Sequence, residues 1–478
     1  MSEENHRSSK IFSITFLILL LQVPFCWGID PKGEEPSRRP KVISKGAKIL
    51  SSLKYPEIHW KVPEVGLDVK RVELENGMVL YLMEDHDLPL IHLQAIIRTG
   101  SLYEPEEKAG LADLTGEVMR TGGTQDLSGD DLDRELESIA CNLSTSIGIE
   151  SGEATLNCLV GNFDRALDLF SQVLRNPRFE EEKINLAKKE IEESIRREND
   201  NPGTILSWEF SRLIYGNHPY GRSPKLEPIS KISRQDLIDF HKRYFHPNNI
   251  LLGITGDFKE EEMIQKINTL LGDWKPESIK FPEVPKVNPQ FKDTLLFIPK
   301  ELNQSNIRIG HLGVDRSSPD IYAITLMNFI LGGGSFASRM TERIRSDEGL
   351  AYSVGSRFDT ESQDLGVFYA TCQTKTESTQ RAIDIILEEI RKIREVPVEV
   401  WELELAKEVY INRYIFNWTS AASMVRQLML LEYSRRHRDF FETYLEKLNH
   451  VSREDILRVA QIYLHPDRLS IVIVGDSN

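Results

Sequence analysis

Hydrophobic positions along the chain follow two rhythms, one of period two and one near 3.6. Val72-Glu73-Leu74-Glu75 and Met78-Val79-Leu80-Tyr81 flank Asn76-Gly77, and an Asn-Gly pair between alternating stretches predicts a β-hairpin. A strand is predicted over residues 90–98, ending in the turn-rich Thr99-Gly100-Ser101, and a helix over residues 109–120. Strand patterns return at 141–149 and 153–160, followed by amphipathic helices at 163–175 and 180–198. Pro276, Pro282, Pro285 and Pro289 interrupt a stretch with hardly any helical period, which predicts a linker.

The later helices and strands repeat. Ile232-Ser233-Arg234-Gln235-Asp236-Leu237 recurs as Val451-Ser452-Arg453-Glu454-Asp455-Ile456, and Tyr244-Phe245-His246-Pro247 as Tyr463-Leu464-His465-Pro466, both offset by 219 positions. Arg165-Ala166-Leu167-Asp168 matches Arg381-Ala382-Ile383-Asp384 at an offset of 216. The fold class this predicts is α+β: two homologous domains from an internal duplication, each an antiparallel-rich sheet packed with helices. Each copy ends in a helix opened by serine, a His-Pro stop and an apolar strand closing on Gly-Asp. His246 and His465 occupy the same helix end in both copies and are read as structural. The predicted layout is a signal peptide over 1–28, an extended arm over 29–69, one domain over 70–275, a Pro-rich linker over 276–292 and a second domain over 293–478.

The 28% charged and 40% hydrophobic content of this 478-residue chain is that of an ordinary globular protein. Its 74 acidic against 59 basic residues give a net charge of -15, which repels phosphate backbones, so nucleic acid is not an expected partner. Arg7 and Lys10 precede a predominantly apolar run over 11–23 and the breaker Pro24, the pattern of an export signal. The run is shorter than the roughly 20 residues a spanning helix needs. Export to the periplasm or cell envelope is expected, with membrane attachment only if the segment stays uncleaved or Cys26 is lipidated. Without the signal, Cys141, Cys158 and Cys372 remain, too few for a disulfide scaffold. Cys141 and Cys158 flank a predicted hairpin and could meet across it; they are read as buried free thiols.

Several motifs then fall in a telling order. Thr99-Gly100-Ser101-Leu102-Tyr103-Glu104, Lys108-Ala109-Gly110-Leu111-Ala112, Gly216-Asn217-His218-Pro219-Tyr220-Gly221, and Ser338-Arg339 through Gly349-Leu350-Ala351-Tyr352 follow the Asn-Gly start. In these the chain resembles the insulinase-like zinc metallopeptidases, the family of pitrilysin and the mitochondrial processing peptidase, over residues 71–476. The resemblance implies a helix after Gly-Leu-Ala carrying His-x-x-Glu-His, in which two imidazoles four apart hold zinc and the Glu polarises the attacking water. Here that helix reads Asp113-Leu114-Thr115-Gly116-Glu117, so carboxylates replace both histidines and the base position is Gly116. The third ligand of the pattern falls at Glu193 or Ser194. Asp113, Glu117 and Glu193 would suit a hard cation better than zinc, and their plainer reading is as solvated helix charges. No metal is therefore expected in this chain.

The resemblance also implies an Arg and a Tyr seven apart that grip the substrate backbone, a spacing met by Arg345 and Tyr352. Both are hydrogen-bond donors suited to a peptide carbonyl; an ion pair for Arg345 and a half-buried strand aromatic for Tyr352 are the plainer alternatives. Gly332-Gly333-Gly334 lacks the Gly-Lys-Ser/Thr ending of a phosphate loop and reads as a tight interhelical turn, or, by the resemblance, as a loop at the substrate chamber. His86, His92 and His218 form no ligand set. The expectation is a substrate-gripping, non-catalytic subunit of a heterodimeric peptidase. Its partners would be a homologous chain with intact His-x-x-Glu-His, which supplies zinc, and unfolded peptides. An assembly subunit without proteolysis, or a self-contained metallopeptidase using the carboxylates, are the alternatives.

Overall fold

The period-two stretches form strands in two mixed sheets. The computed structural model describes Gly46, Leu53 and residues 61–477 apart from 199, 224, 289–292 and 362, so the predicted signal and most of the predicted arm lie outside the described residues. The first sheet contains β1 (Lys70–Glu73), β2 (Val79–Glu84), β3 (Leu90–Ile97), β4 (Asn142–Ile147), β5 (Gly152–Leu159) and β6 (Ile250–Gly256), in the order β1-β2-β6-β3-β5-β4. The second contains β7 (Thr294–Pro299), β8 (Gln304–Leu312), β9 (Ala351–Phe358), β10 (Val367–Lys375) and β11 (Ser470–Gly475), in the order β7-β11-β8-β10-β9. Apart from β1 the two orders correspond strand for strand, and each sheet is antiparallel except for one parallel pair, β2 with β6 and β7 with β11. The duplication read from the repeated helix ends is thus a duplication of topology.

Local chemistry sets the element ends. Gly77 turns the β1–β2 hairpin with φ +83°, a backbone region where its missing Cβ removes the strain. Ser233 and Ser452 open the helices Arg234–Tyr244 and Arg453–Tyr463, each in a reciprocal capping box with the Asp three positions on. His246 Nε2 bonds the Lys242 carbonyl at 2.8 Å, while the His465 amide donates to His311 Nε2 at 3.1 Å, so both repeated histidines sit in helix-end contacts. The proline-broken stretch carries no helix or strand over 276–288, yet it is pinned: Phe281 packs on the rings of Tyr103 and Tyr244, and Val287 is buried with Leu102, Tyr220 and Leu312.

Each sheet buries one face on helices of its own half of the chain and the other on a helix from the opposite half. Val425, Leu428 and Met429 of the helix Ala421–Tyr433 pack on Val79, Tyr81, Ile96 and Leu251 of the first sheet. Leu206 and Phe210 of the helix Pro202–Tyr215 pack on Val472 and Val474 of the second. Polar clamps flank both crossings. Glu432 takes a bidentate pair from Arg71 at 2.8 Å and a hydrogen bond from the Tyr81 hydroxyl, and Arg308 donates to Ser207 at 3.0 Å.

The approach is close because a glycine lies under each crossing helix. A Cβ on Gly253 in β6 would stand 2.5 Å from the Met429 sulfur, and one on Gly310 in β8 would stand 2.9 Å from the Phe210 ring and 2.1 Å from the Phe368 carbonyl oxygen. At Gly253 the methionine end can swing aside and the Val425 methyl at 2.7 Å must give, whereas at Gly310 the strand carbonyl cannot move. Gly253→Ala is expected to lower stability by about 1–3 kcal/mol and Gly310→Ala by more, measured by equilibrium urea unfolding. A larger loss for Gly253→Ala would contradict this packing.

Candidate functional site

The helix carrying the altered motif runs over Leu111–Thr121. Its start is held by Glu104, a buried carboxylate that accepts the backbone N–H of Gly110 at 2.9 Å and of Ala112 at 2.8 Å. The two amides favour the ionised form, but burial outweighs them and the Glu104 pKa is pushed up to about 7. Gly110 precedes the helix in the left-handed region with φ +100°.

Asp113 and Glu117 lie one turn apart on the outward side of this helix, Asp113 exposed and Glu117 half-buried. Although the Asp113 side chain reaches solvent, the protein around it raises its pKa by burial. Burial also raises Glu117, helped by the charges of Glu190 and Asp113 and by a hydrogen bond with Glu190. The acid that meets Glu117 is therefore Glu190 of the helix Glu181–Glu198, not Glu193 or Ser194, and Glu193 turns outward to Arg196 at 3.0 Å. Glu190 precedes Glu193 by three positions, a little under one helical turn of about 3.6 residues.

Gly116 is closed off. A Cβ there would lie 2.4 Å from the Ile147 nitrogen and 2.7 Å from the Ser146 carbonyl carbon, and the Gly116 carbonyl accepts the Thr145 hydroxyl at 2.6 Å. The motif helix packs onto the main chain of β4 at the position where the family carries its general base. Zinc does not fit the residues present: the side chains facing one another are carboxylates without an imidazole. Among the described residues no group of three or more His, Cys, Asp or Glu side chains could hold a metal. His86 pairs with Asp257 at 2.7 Å and Glu84 at 3.2 Å, His92 contacts Asn157 at 2.7 Å, and His218 accepts the Tyr220 amide at 3.2 Å.

Arg345 and Tyr352 come together. Arg345 lies in the helical segment Glu342–Asp347, Gly349 reverses the chain with φ +62°, and Tyr352 follows in β9, the edge strand of the second sheet. The Arg345 guanidinium sits 4.5 Å from the Tyr352 ring centroid and 4.4 Å from that of Phe336. Tyr352 is 80% and Phe336 63% exposed, so neither ring is a core aromatic. Neighbouring arginines turn to acids instead: Arg339 makes a bidentate buried pair with Glu402 at 2.6 Å, and Arg343 bonds Glu388 at 2.8 Å and Glu389 at 3.0 Å. Phe336 had no signal in the sequence beyond its place after the glycines. Of these, Gly332 is buried against Ser356 of β9, where a Cβ would stand 2.5 Å from the hydroxyl oxygen, and Gly333 is exposed. The run is thus partly a packing device, and it delivers Ser335 and Phe336 at an exposed tip.

Two outcomes test this geometry. The native state holds the Glu104 proton from the unfolded value near 4.5 up to about 7, so stability declines as pH rises through that window, by an amount on the order of 3 kcal/mol. Glu104→Gln should flatten this part of a urea-denaturation pH series; an unchanged slope would refute the assignment. Gly116→Glu should destabilise by about 2 kcal/mol or more without conferring peptide hydrolysis, read by thermal unfolding and a quenched-peptide assay.

Comparisons with known proteins address the family and the fold. Residues 84–224 match the family described as Insulinase (Peptidase family M16), and residues 231–410 match the Peptidase M16 inactive domain. An uncharacterized zinc protease of Rickettsia felis is 26% identical over 328 residues, 68% of this chain and 77% of its own length. The non-peptidase homolog YmxG of Helicobacter pylori is 23% identical over 396 residues, covering 82% of this chain and 90% of its own. Among solved structures, a peptidase M16 inactive domain from Pseudomonas fluorescens superposes with a TM-score of 0.79 at 22% identity, covering 86% of this chain and 98% of that one. The periplasmic protease PqqL of Escherichia coli gives 0.72 at 14% identity, covering 91% and 51%. The duplicated sheets, the motif order and these matches together place the chain in the insulinase-like M16 peptidase family.

Proposed function

We propose that this chain is the non-catalytic, substrate-gripping subunit of a two-chain M16 peptidase that degrades or processes peptides. The observation that carries the reading is an asymmetry between its halves. The motif helix has carboxylates in place of imidazoles and a base position shut against β4, whereas Arg345 is held between two exposed rings. Stacking occupies the guanidinium faces and leaves the in-plane N–H donors to meet a peptide carbonyl, beside the Tyr352 hydroxyl. A homologous partner with intact His-x-x-Glu-His would supply the zinc and the base, and a loss of base catalysis alone is worth about 10²- to 10⁴-fold in rate. The name non-peptidase homolog borne by the Helicobacter relative supports a role without independent hydrolysis.

Export to the periplasm or cell envelope is part of the proposal and rests on the basic and apolar pattern of the first residues. Among the described residues no helix is long and apolar enough to cross a membrane.

Arg345→Ala combined with Tyr352→Phe, in the copurified pair, should lower kcat/KM on a quenched peptide by about tenfold or more while the chains still copurify. Unchanged turnover would overturn the gripping role and leave an assembly subunit. Hydrolysis by the purified chain alone, lost in Glu117→Gln, would establish a carboxylate metallopeptidase instead.

A further inference from the structure

We propose that Cys141 and Cys158 are a reversible dithiol–disulfide pair that staples the outermost strand of the first sheet to its neighbour. The β4–β5 ladder pairs Asn142 with Asn157, and continuing that register by one residue sets Cys141 directly opposite Cys158. Residues facing each other in an antiparallel ladder have Cα atoms about 4.5–5.5 Å apart, inside the 4.4–6.8 Å range that a disulfide spans. Both side chains turn to the same core, Cys158 within it and Cys141 packed against it.

The backbone aims Cys141 at this partner. Ala140 adopts φ +50°, the Cys141 amide donates to the Leu136 carbonyl at 2.9 Å, and Asn162 Nδ2 holds the Ile139 carbonyl at 2.7 Å. A non-glycine residue in that region is kept there by its surroundings, here the end of the helix Gly129–Ser138 and the entry to β4. Exposure divides the roles: Cys141 is half-buried and can be reached, whereas Cys158 is buried against the core. The greater exposure of Cys141 makes it the attacking sulfur, in keeping with the direction of the shifts: the neighbouring Cys158 lowers the Cys141 pKa, while Cys141 and burial raise that of Cys158. Cys372 is a contrast. It lies buried in β10 of the other sheet, with burial pushing its thiol up to about 12.

The oxidant is a disulfide, either a small thiol's or an oxidoreductase's. The Cys141 thiolate attacks one sulfur of it, breaking that S–S bond and releasing one thiolate; the Cys158 thiolate then attacks the mixed disulfide at Cys141 and releases the second. Two electrons and two protons pass from the protein thiols to the oxidant, whose disulfide becomes two thiols. The staple acts where the fold needs it, because β4 has a free outer edge and carries Thr145, which bonds the Gly116 carbonyl of the motif helix. Oxidation would fix the seat of that helix.

The test uses the purified full chain equilibrated with excess glutathione disulfide or with dithiothreitol, followed by alkylation and peptide mapping. The expected result is a Cys141–Cys158 cross-linked peptide only in the oxidised sample, with Cys372 alkylated after unfolding in both. The oxidised chain should melt about 5 °C higher. Cys141→Ser should abolish that shift and Cys372→Ser should keep it. Glutathione retained on Cys141 without the cross-link, two free thiols after oxidation, or a bridge to Cys372 would each overturn the pairing. The mapping on the unsubstituted chain decides even if a variant fails to fold.

Discussion

Both sheets have two apolar faces, and covering the second face with a helix from the opposite half is the constraint on which the rest of the molecule depends. A strand such as β6, buried along almost its whole length, cannot be left with one side in water. The helices Ala421–Tyr433 and Pro202–Tyr215 solve this reciprocally, with Met429 and Phe210 seated over Gly253 and Gly310. Each half builds one core of its own but leaves the second face of its sheet to a helix of the other, so packing as well as the proline-rich segment joins the two domains. β4, on which the motif helix packs, and β9, which carries Tyr352, are each one of the two edge strands of the sheets so joined.

On this frame each half brings a glycine close against an edge strand, with different consequences. The motif helix approaches β4 so closely that Gly116 has room for no side chain, and its carbonyl is engaged by Thr145. Once that contact exists, a side chain at position 116 has no room without moving the helix or the strand, and Glu117 stands among acids, its pKa raised by burial and by the charges of Glu190 and Asp113. In the second half the glycine run likewise packs against β9 through Gly332 and Ser356, but the chain then turns outward and places Phe336 where Arg345 can lie on it. Close packing removes chemistry in one half and exposes a donor in the other.

Much of this was legible in the sequence where the signal is local. The Asn76-Gly77 hairpin, the serine caps, the strand and helix periods and the duplication all depend on residues within a few positions, and their boundaries fell within about two residues of the observed ones. The helix exchange was not legible, because an amphipathic helix shows that it has an apolar face and not which sheet will receive it. Glu190 was missed for a related reason. Positions 190 and 193 lie on nearly the same side of one helix, and only its axial placement against the motif helix separates them. Phe336 was invisible because an exposed aromatic after glycines has no periodicity to betray it.

The Arg345 arrangement gains its meaning from what surrounds it. A long cationic side chain on a surface ordinarily samples many rotamers and loses entropy on binding. Here the segment bearing it is fastened on its N-terminal side by the buried Arg339–Glu402 pair and by Arg343 with Glu388 and Glu389, and on its C-terminal side by the Leu350 amide bonded to the Ile344 carbonyl at 2.9 Å. Two rings then restrict the guanidinium itself. Most of the ordering of this side chain is therefore already present in the free chain, where an unanchored arginine would have it still to lose on any contact. The two rings, one on the tip after the glycines and one on β9, thus reach the same guanidinium from separate segments of the chain.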